Sequence, residues 1–203
     1  MRVLLTFFIF YFFSTLVYST GINSCNFLTE KYGKLYNLPS KLLTSIALVE
    51  SGIKKNNQHF RSWPWTLNVS GESIYFDTKQ EMLNYLKQNL PEKKSIDVGC
   101  MQINTKYHLK NFKDLNQIIE PEENVKYAAI FLSKLFKQYR SWNEAIARYH
   151  SSLPKRKEKY LKKVYSFWND VRQKKITIKT NYVDSHEKKQ IENFRKILKK
   201  ENI

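Results

Sequence analysis

The sequence predicts a mainly α-helical single domain carrying one small β-hairpin. Apolar residues recur at helical spacing from Glu122 to Tyr139, where Val125, Ala128, Ala129, Leu132, Leu135, Phe136 and Tyr139 share a face. Shorter stripes of the same period flank it at Leu42–Ala47, at Trp142–Tyr149 and at Leu161–Trp168. Only one segment, Trp65 to Phe76, combines alternating and β-branched residues around a Ser70-Gly71 turn, as a hairpin does.

Each element has its own signal. Arg2 followed by the apolar run Val3–Val17 and the small residues Ser19, Thr20 and Gly21 reads as a secretory signal peptide over residues 1–19. Its rival is an uncleaved anchor, for which the run is short. The mature domain is expected over residues 20–173. Asn26–Tyr36 reads helical through Leu28, Tyr32, Leu35 and Tyr36. Pro39 suits the first position of the next helix, where its missing N–H is not needed, and Gly52 suits that helix's end through its tolerance of left-handed backbone. Lys54–Arg61 is polar and loop-like. Thr78 caps a helix that Pro91 ends. Ser141-Trp142-Asn143-Glu144 is a capping box, and Pro154 restarts the chain for one more helix. Residues 174–203 form a basic tail, with a thin helical stripe of Ile191, Phe194 and Leu198 between Ser185 and Lys200.

Composition narrows the function classes. The 203 residues are 42% hydrophobic and 15% aromatic, enough for one core, and no internal repeat or second core is visible. A net charge of +17 admits three readings: nucleic-acid binding, attraction to an anionic wall or membrane surface, or a Lys-rich habit of solvated helix faces. Export and the absence of a nucleic-acid motif argue against the first. The lysines fall on faces opposite the apolar stripes, which favours the third. Cys25 and Cys100 are one possible disulfide pair in an oxidising compartment, the alternative being two buried thiols. His59, His108, His150 and His186 are scattered, so neither a metal nor another cofactor is expected.

Glu50 is the candidate acid. It lies in phase with Leu42, Leu43, Ile46 and Ala47, at the end of an oily stripe. Burial disfavours the charged carboxylate and raises its pKa, and a neutral carboxyl near pH 7 is what general-acid cleavage of a glycosidic bond requires. The competing reading is a solvated acid at a helix end.

The neighbours of Glu50 form an ordered set. Glu50-Ser51 is followed by Gly99-Cys100-Met101-Gln102-Ile103, then by Ala128-Ala129 and Trp142, then by Tyr149-His150. This set resembles the lytic transglycosylases of the SLT type, with Cys100 standing where leucine is usual and His150 where asparagine is usual. The resemblance covers roughly Leu35 to His150. It implies a lysozyme-like α+β fold and cleavage of the β-1,4 bond between N-acetylmuramic acid and N-acetylglucosamine, with formation of 1,6-anhydro-muramyl ends. By position, Glu50 takes the acid–base role, and Ser51, Met101, Gln102, Asn104, Tyr149 and His150 the substrate contacts. Tyr149 is expected to turn its hydroxyl towards Glu50 or the sugar's acetamido group.

A second acid would point instead to a muramidase-type hydrolase. Asp97 is the nearest candidate, with Glu72 and Asp77 further off, but Asn104 stands where the similar goose-type lysozymes carry their acid. A non-catalytic wall-binding protein is the remaining alternative. Trp63 and Trp65 are candidates for stacking on sugar faces. The resemblance further implies a monomer acting on peptidoglycan in the periplasm, near membrane or wall, with a secretion or appendage-assembly machine as a candidate partner.

Overall fold

Residues 24–54, 60–93 and 95–173 are described by the computed structural model. The expected signal peptide and the basic tail with its Ser185–Lys200 helix lie outside these residues. Ser24 starts helix α1 (Cys25–Leu35) by accepting a hydrogen bond from the Phe27 amide. Helix α2 (Leu42–Ser51) begins three residues later than expected. Lys41 is in the left-handed region (φ 66°), which breaks the helical run, so Pro39 sits in the preceding turn and its carbonyl accepts from the Leu42 amide.

Gly52 ends α2, but not in the left-handed conformation expected of it. Its backbone is extended (φ −65°, ψ 130°) and opens strand β1 (Gly52–Ile53), paired antiparallel with β2 (Arg61–Ser62). Glycine is needed here for space: a Cβ would lie 2.2 Å from the Leu48 carbonyl and 2.3 Å from the Phe60 ring.

The expected hairpin forms as β3 (Thr66–Val69) and β4 (Glu72–Tyr75), with Ser70 and Gly71 both at positive φ, the turn whose twist suits paired strands. The sheet extends beyond the hairpin. Strands β5 (Ile96–Val98) and β6 (Ile103–Asn104) add to the free side of β3 in the order β4-β3-β5-β6. Both strands are too short to show an alternating pattern in sequence.

Helix α3 (Lys79–Asn89) carries a complete capping box between Thr78 and Glu81. Short helices α4 (Thr105–His108) and α5 (Leu115–Ile119) lead to α6 (Pro121–Tyr139), α7 (Trp142–His150) and α8 (Pro154–Arg172). At Ser141 only half of the expected capping box is present. Its hydroxyl accepts from the Glu144 amide, while the Glu144 carboxylate turns to Arg148 and Lys157 instead.

The core is built around α6, which packs on α1 and α7, while α2 packs on α1 and α8. Val125, Ala128, Ala129 and Leu132 of α6 and Leu42, Leu43, Ile46 and Ala47 of α2 are almost wholly buried. The arrangement is a mainly α fold with a small antiparallel sheet. No helix among the described residues is long and apolar enough to cross a membrane.

Cys25 and Cys100 are disulfide-bonded, with Cα atoms 5.6 Å apart, joining the start of α1 to the turn after β5 across 75 residues. Closing a loop of that size restricts the unfolded chain. Replacing both cysteines by serine is therefore expected to lower unfolding stability by about 2–4 kcal/mol, read from urea denaturation.

Candidate active site

The site is assembled around the turn Gly99–Gln102, which several elements grip. Gly99 adopts φ 78°, and a Cβ there would lie 2.9 Å from the Asn124 side-chain nitrogen, so conformation and space both call for glycine. Asn124 of α6 is fully buried. Its Nδ2 donates to the Val98 carbonyl (2.9 Å) and the Ile118 carbonyl (3.0 Å), and its Oδ1 accepts from the Met101 amide (2.9 Å). With both N–H groups donating and the oxygen accepting, this buried amide offsets most of its lost hydration and fixes the turn in one register. From α2, the Ser51 hydroxyl reaches the Cys100 carbonyl at 2.7 Å, with the Ala47 carbonyl also in range at 3.1 Å. From α7, the Tyr149 hydroxyl donates to the Met101 carbonyl at 2.9 Å.

Beside this turn, the last turn of α2 meets α8. Tyr160, buried on α8, donates its hydroxyl to Glu50 Oε1 at 2.5 Å. Among the described residues nothing bonds Glu50 Oε2. Glu50 is half-buried and faces a cavity of about 350 Å³ lined by Val49, His150, Arg156, Lys159, Tyr160 and Lys163.

Four influences compete on the Glu50 carboxyl. Loss of hydration on burial is the largest and raises its pKa. The Tyr160 hydrogen bond favours the anion, the charge of Asp97 disfavours it, and the ammonium of Lys163 favours it. Burial wins, and the pKa is pushed up to about 8. The Tyr160 phenol is itself held well above its usual range by burial and by Glu50, so it stays a donor. The result is a carboxyl with one oxygen fixed by a phenol and the other able to carry a transferable proton near neutral pH.

The residues singled out in sequence fall into two groups. Glu50 and His150 line the cavity. The His150 ring stacks flat on Tyr160, with centroids 4.5 Å apart, and burial with the nearby cations lowers its pKa, which favours neutral imidazole. The others mainly build the scaffold. Ser51 and Met101 are fully buried, so neither side chain is open to a ligand. Gln102 is half-buried at φ 47°, and its amide nitrogen donates to the Gly99 carbonyl at 3.0 Å. The Tyr149 hydroxyl lies close enough to Glu50 to feel its charge but does not bond it. The Met101 carbonyl accepts from the hydroxyl instead, because α7 approaches the Gly99–Gln102 turn and a buried phenol takes the acceptor it meets.

Asn104 caps α4 and donates to Asp97 Oδ1 at 2.7 Å, the two residues standing opposite each other across β5 and β6. Asp97 is close enough to Glu50 for its charge to be felt there, and its own pKa is raised by burial against the pull of Asn104. Glu72 and Asp77 are exposed. Trp63 hydrogen-bonds the Phe76 carbonyl and has the Arg61 guanidinium over its ring, and Trp65 packs against the core.

Tyr160 was missed by sequence reading. It belongs to the buried face of α8, four residues before Val164, but an apolar stripe counted from Leu161 passes over it. The signal was available: an in-phase tyrosine needs a polar partner for its hydroxyl. A second cavity, of about 300 Å³ between α1 and α2, contains Glu30 already engaged by Lys41 and Thr44 and offers no reactive group. Among the described residues no cluster of His, Cys, Asp or Glu could hold a metal ion.

The sequence has relatives. The family model described as the transglycosylase SLT domain matches residues 27–172. Protein IpgF of Shigella flexneri and Protein IpgF of Shigella sonnei are each 31% identical over 140 residues, covering 66% of this chain and 71% of the relative. No solved structure matches significantly. The chain belongs to the transglycosylase SLT domain family.

The raised pKa has a thermodynamic consequence. The folded protein keeps the Glu50 proton to higher pH than the unfolded chain does, so this group costs stability progressively as pH rises from the ordinary carboxyl range through about 8. Glu50→Gln is expected to be more stable than the parent by about 1–3 kcal/mol at pH 8, and to lose that advantage below about pH 4. Denaturation curves at the two pH values check it.

Proposed function

We propose that the protein is a peptidoglycan lytic transglycosylase with Glu50 as its single acid–base group. The observation that carries this reading is the half-buried carboxyl of Glu50, uncharged near neutral pH, held by Tyr160 and facing a cavity. Membership of the SLT domain family supports the substrate class, glycan strands of peptidoglycan.

In this mechanism the Glu50 proton passes to the oxygen linking N-acetylmuramic acid to N-acetylglucosamine. The bond from the muramyl anomeric carbon to that oxygen breaks, and the N-acetylglucosamine side leaves with a hydroxyl. The Glu50 carboxylate then takes the proton of the muramyl C6 hydroxyl as its oxygen bonds to the anomeric carbon. A 1,6-anhydro ring closes, the acid is regenerated and no water is consumed. Tyr160 stabilises the transient carboxylate and holds it in one orientation. Work outside the cytoplasm fits both the N-terminal apolar run and the disulfide.

Hydrolysis of the same bond is the second reading, favoured by the proximity of Asp97 to Glu50. Asn104, standing where the similar goose-type lysozymes carry their acid, counts against it.

Digestion products, variant activity and pH dependence test this. Mass spectrometry of a sacculus digest should show muramyl ends lighter by one water than hydrolytic reducing ends. Glu50→Gln should lower the rate of digestion about 10²–10⁴-fold; unchanged activity, or hydrolytic ends alone, removes the reading. The pH profile of kcat/KM should fall on an alkaline limb near pH 8. Tyr160→Phe should shift that limb upward, because the lost hydrogen bond was favouring the anion.

A further inference from the structure

Helix α8 carries its positive charge in two different settings. Lys157 pairs with Glu144 at 2.6 Å and Lys162 with Glu158 at 2.7 Å, so these cations are balanced within the protein. Arg156, Lys159 and Lys163 are not. They stand at i, i+3 and i+7, on the side of α8 that also bears Tyr160, and all three line the cavity of Glu50. Among the described residues none of the three makes an ion pair or hydrogen bond. The one acid lining the cavity is Glu50, which the proposed reaction needs in its neutral form. The cavity therefore sets three cations against a single acid.

Such a wall is poorly suited to a neutral sugar ring, which offers nothing to balance it. It suits a ligand carrying carboxylate. On a peptidoglycan strand, carboxylates hang from the 3-O-lactyl arm of N-acetylmuramic acid. They are either the arm's own free acid, where the peptide has been removed, or those of the attached stem peptide.

We propose that Arg156, Lys159 and Lys163 form a subsite for a carboxylate borne on the muramyl 3-O-lactyl arm. This deepens the assignment of Glu50 to glycan cleavage and rests on it for the identity of the strand. The subsite sets which residue of an alternating glycan is seated beside the acid. Arg156 supplies a fork that can grip a carboxylate through two hydrogen bonds, and the lysines add point charges along the wall.

Binding is measured on the non-cleaving Glu50→Gln protein, so that affinity is read separately from turnover. Three soluble ligands of equal length are titrated by calorimetry: a stem-peptide-bearing glycan fragment, the same fragment stripped by an amidase to free lactyl acids, and a neutral N-acetylglucosamine oligomer. At least one of the two muramyl ligands should bind ten-fold or more tightly than the neutral oligomer, and the tighter of the pair identifies the source of the carboxylate. Adding Arg156→Gln and Lys159→Gln, both at exposed positions, should abolish the gap, as should high salt. Equal affinity for all three ligands, or a gap that survives the double substitution, overturns the subsite. Failure of the parent protein to cleave strands, with the affinity gap intact, overturns the lyase reading alone.

Discussion

The structure of the site depends on one carboxyl group withdrawn from water. Moving Glu50 out of bulk solvent raises the free energy of its anion more than the nearby ammonium of Lys163 and the phenol of Tyr160 lower it. That inequality keeps the carboxyl protonated up to near neutral pH. It also demands that α2 and α8 meet closely, since Tyr160 must come within hydrogen-bond reach without admitting bulk water. The paired surfaces of α2 and α8, with Leu43, Ile46 and Ala47 on one and Tyr160 and Val164 on the other buried, supply that closeness.

A second constraint is the rigidity of the Gly99–Gln102 turn. Left-handed backbone at Gly99 and at Gln102 is tolerated because the turn is held from four sides: Ser51 from α2, Asn124 from α6, Tyr149 from α7 and Cys25 through the disulfide. Several residues that align with family motifs are thus not at the cavity surface. Ser51 and Met101 are buried, and the Ser51 hydroxyl holds the turn through the Cys100 carbonyl. The pattern Glu-Ser joins two jobs in adjacent residues, one pointing to the cavity and the next anchoring the floor beside it.

The large positive charge also resolves into parts. Some of it is neutralised locally, as with Lys31 and Glu122 or Lys41 and Glu30, pairs whose partial exposure keeps their contribution to stability small. The portion on the cavity face of α8 differs because Arg156, Lys159 and Lys163 make no ion pair among the described residues and line one cavity with Glu50.

How much of this could be read in the chain follows physical range. Helical stripes depend on neighbours three and four residues apart, so α6, α7 and the hairpin were legible, as was the phase that turns Glu50 towards the packed interior. Termini were less so: Pro39 lost its expected position to the left-handed Lys41, and Gly52 proved necessary for space instead of for its dihedral freedom. Strands β5 and β6 escaped because pairing across long sequence separation, and not local pattern, makes them strands. The chain by itself determined the mainly helical class, the phase of Glu50 and the motif order, because these are local properties of residue type and spacing. Only the tertiary structure decided that Tyr160 and not Tyr149 holds the acid, that Asp97 faces Asn104, and that three cations of α8 share one cavity with Glu50, because each of these joins residues that nothing but packing brings together.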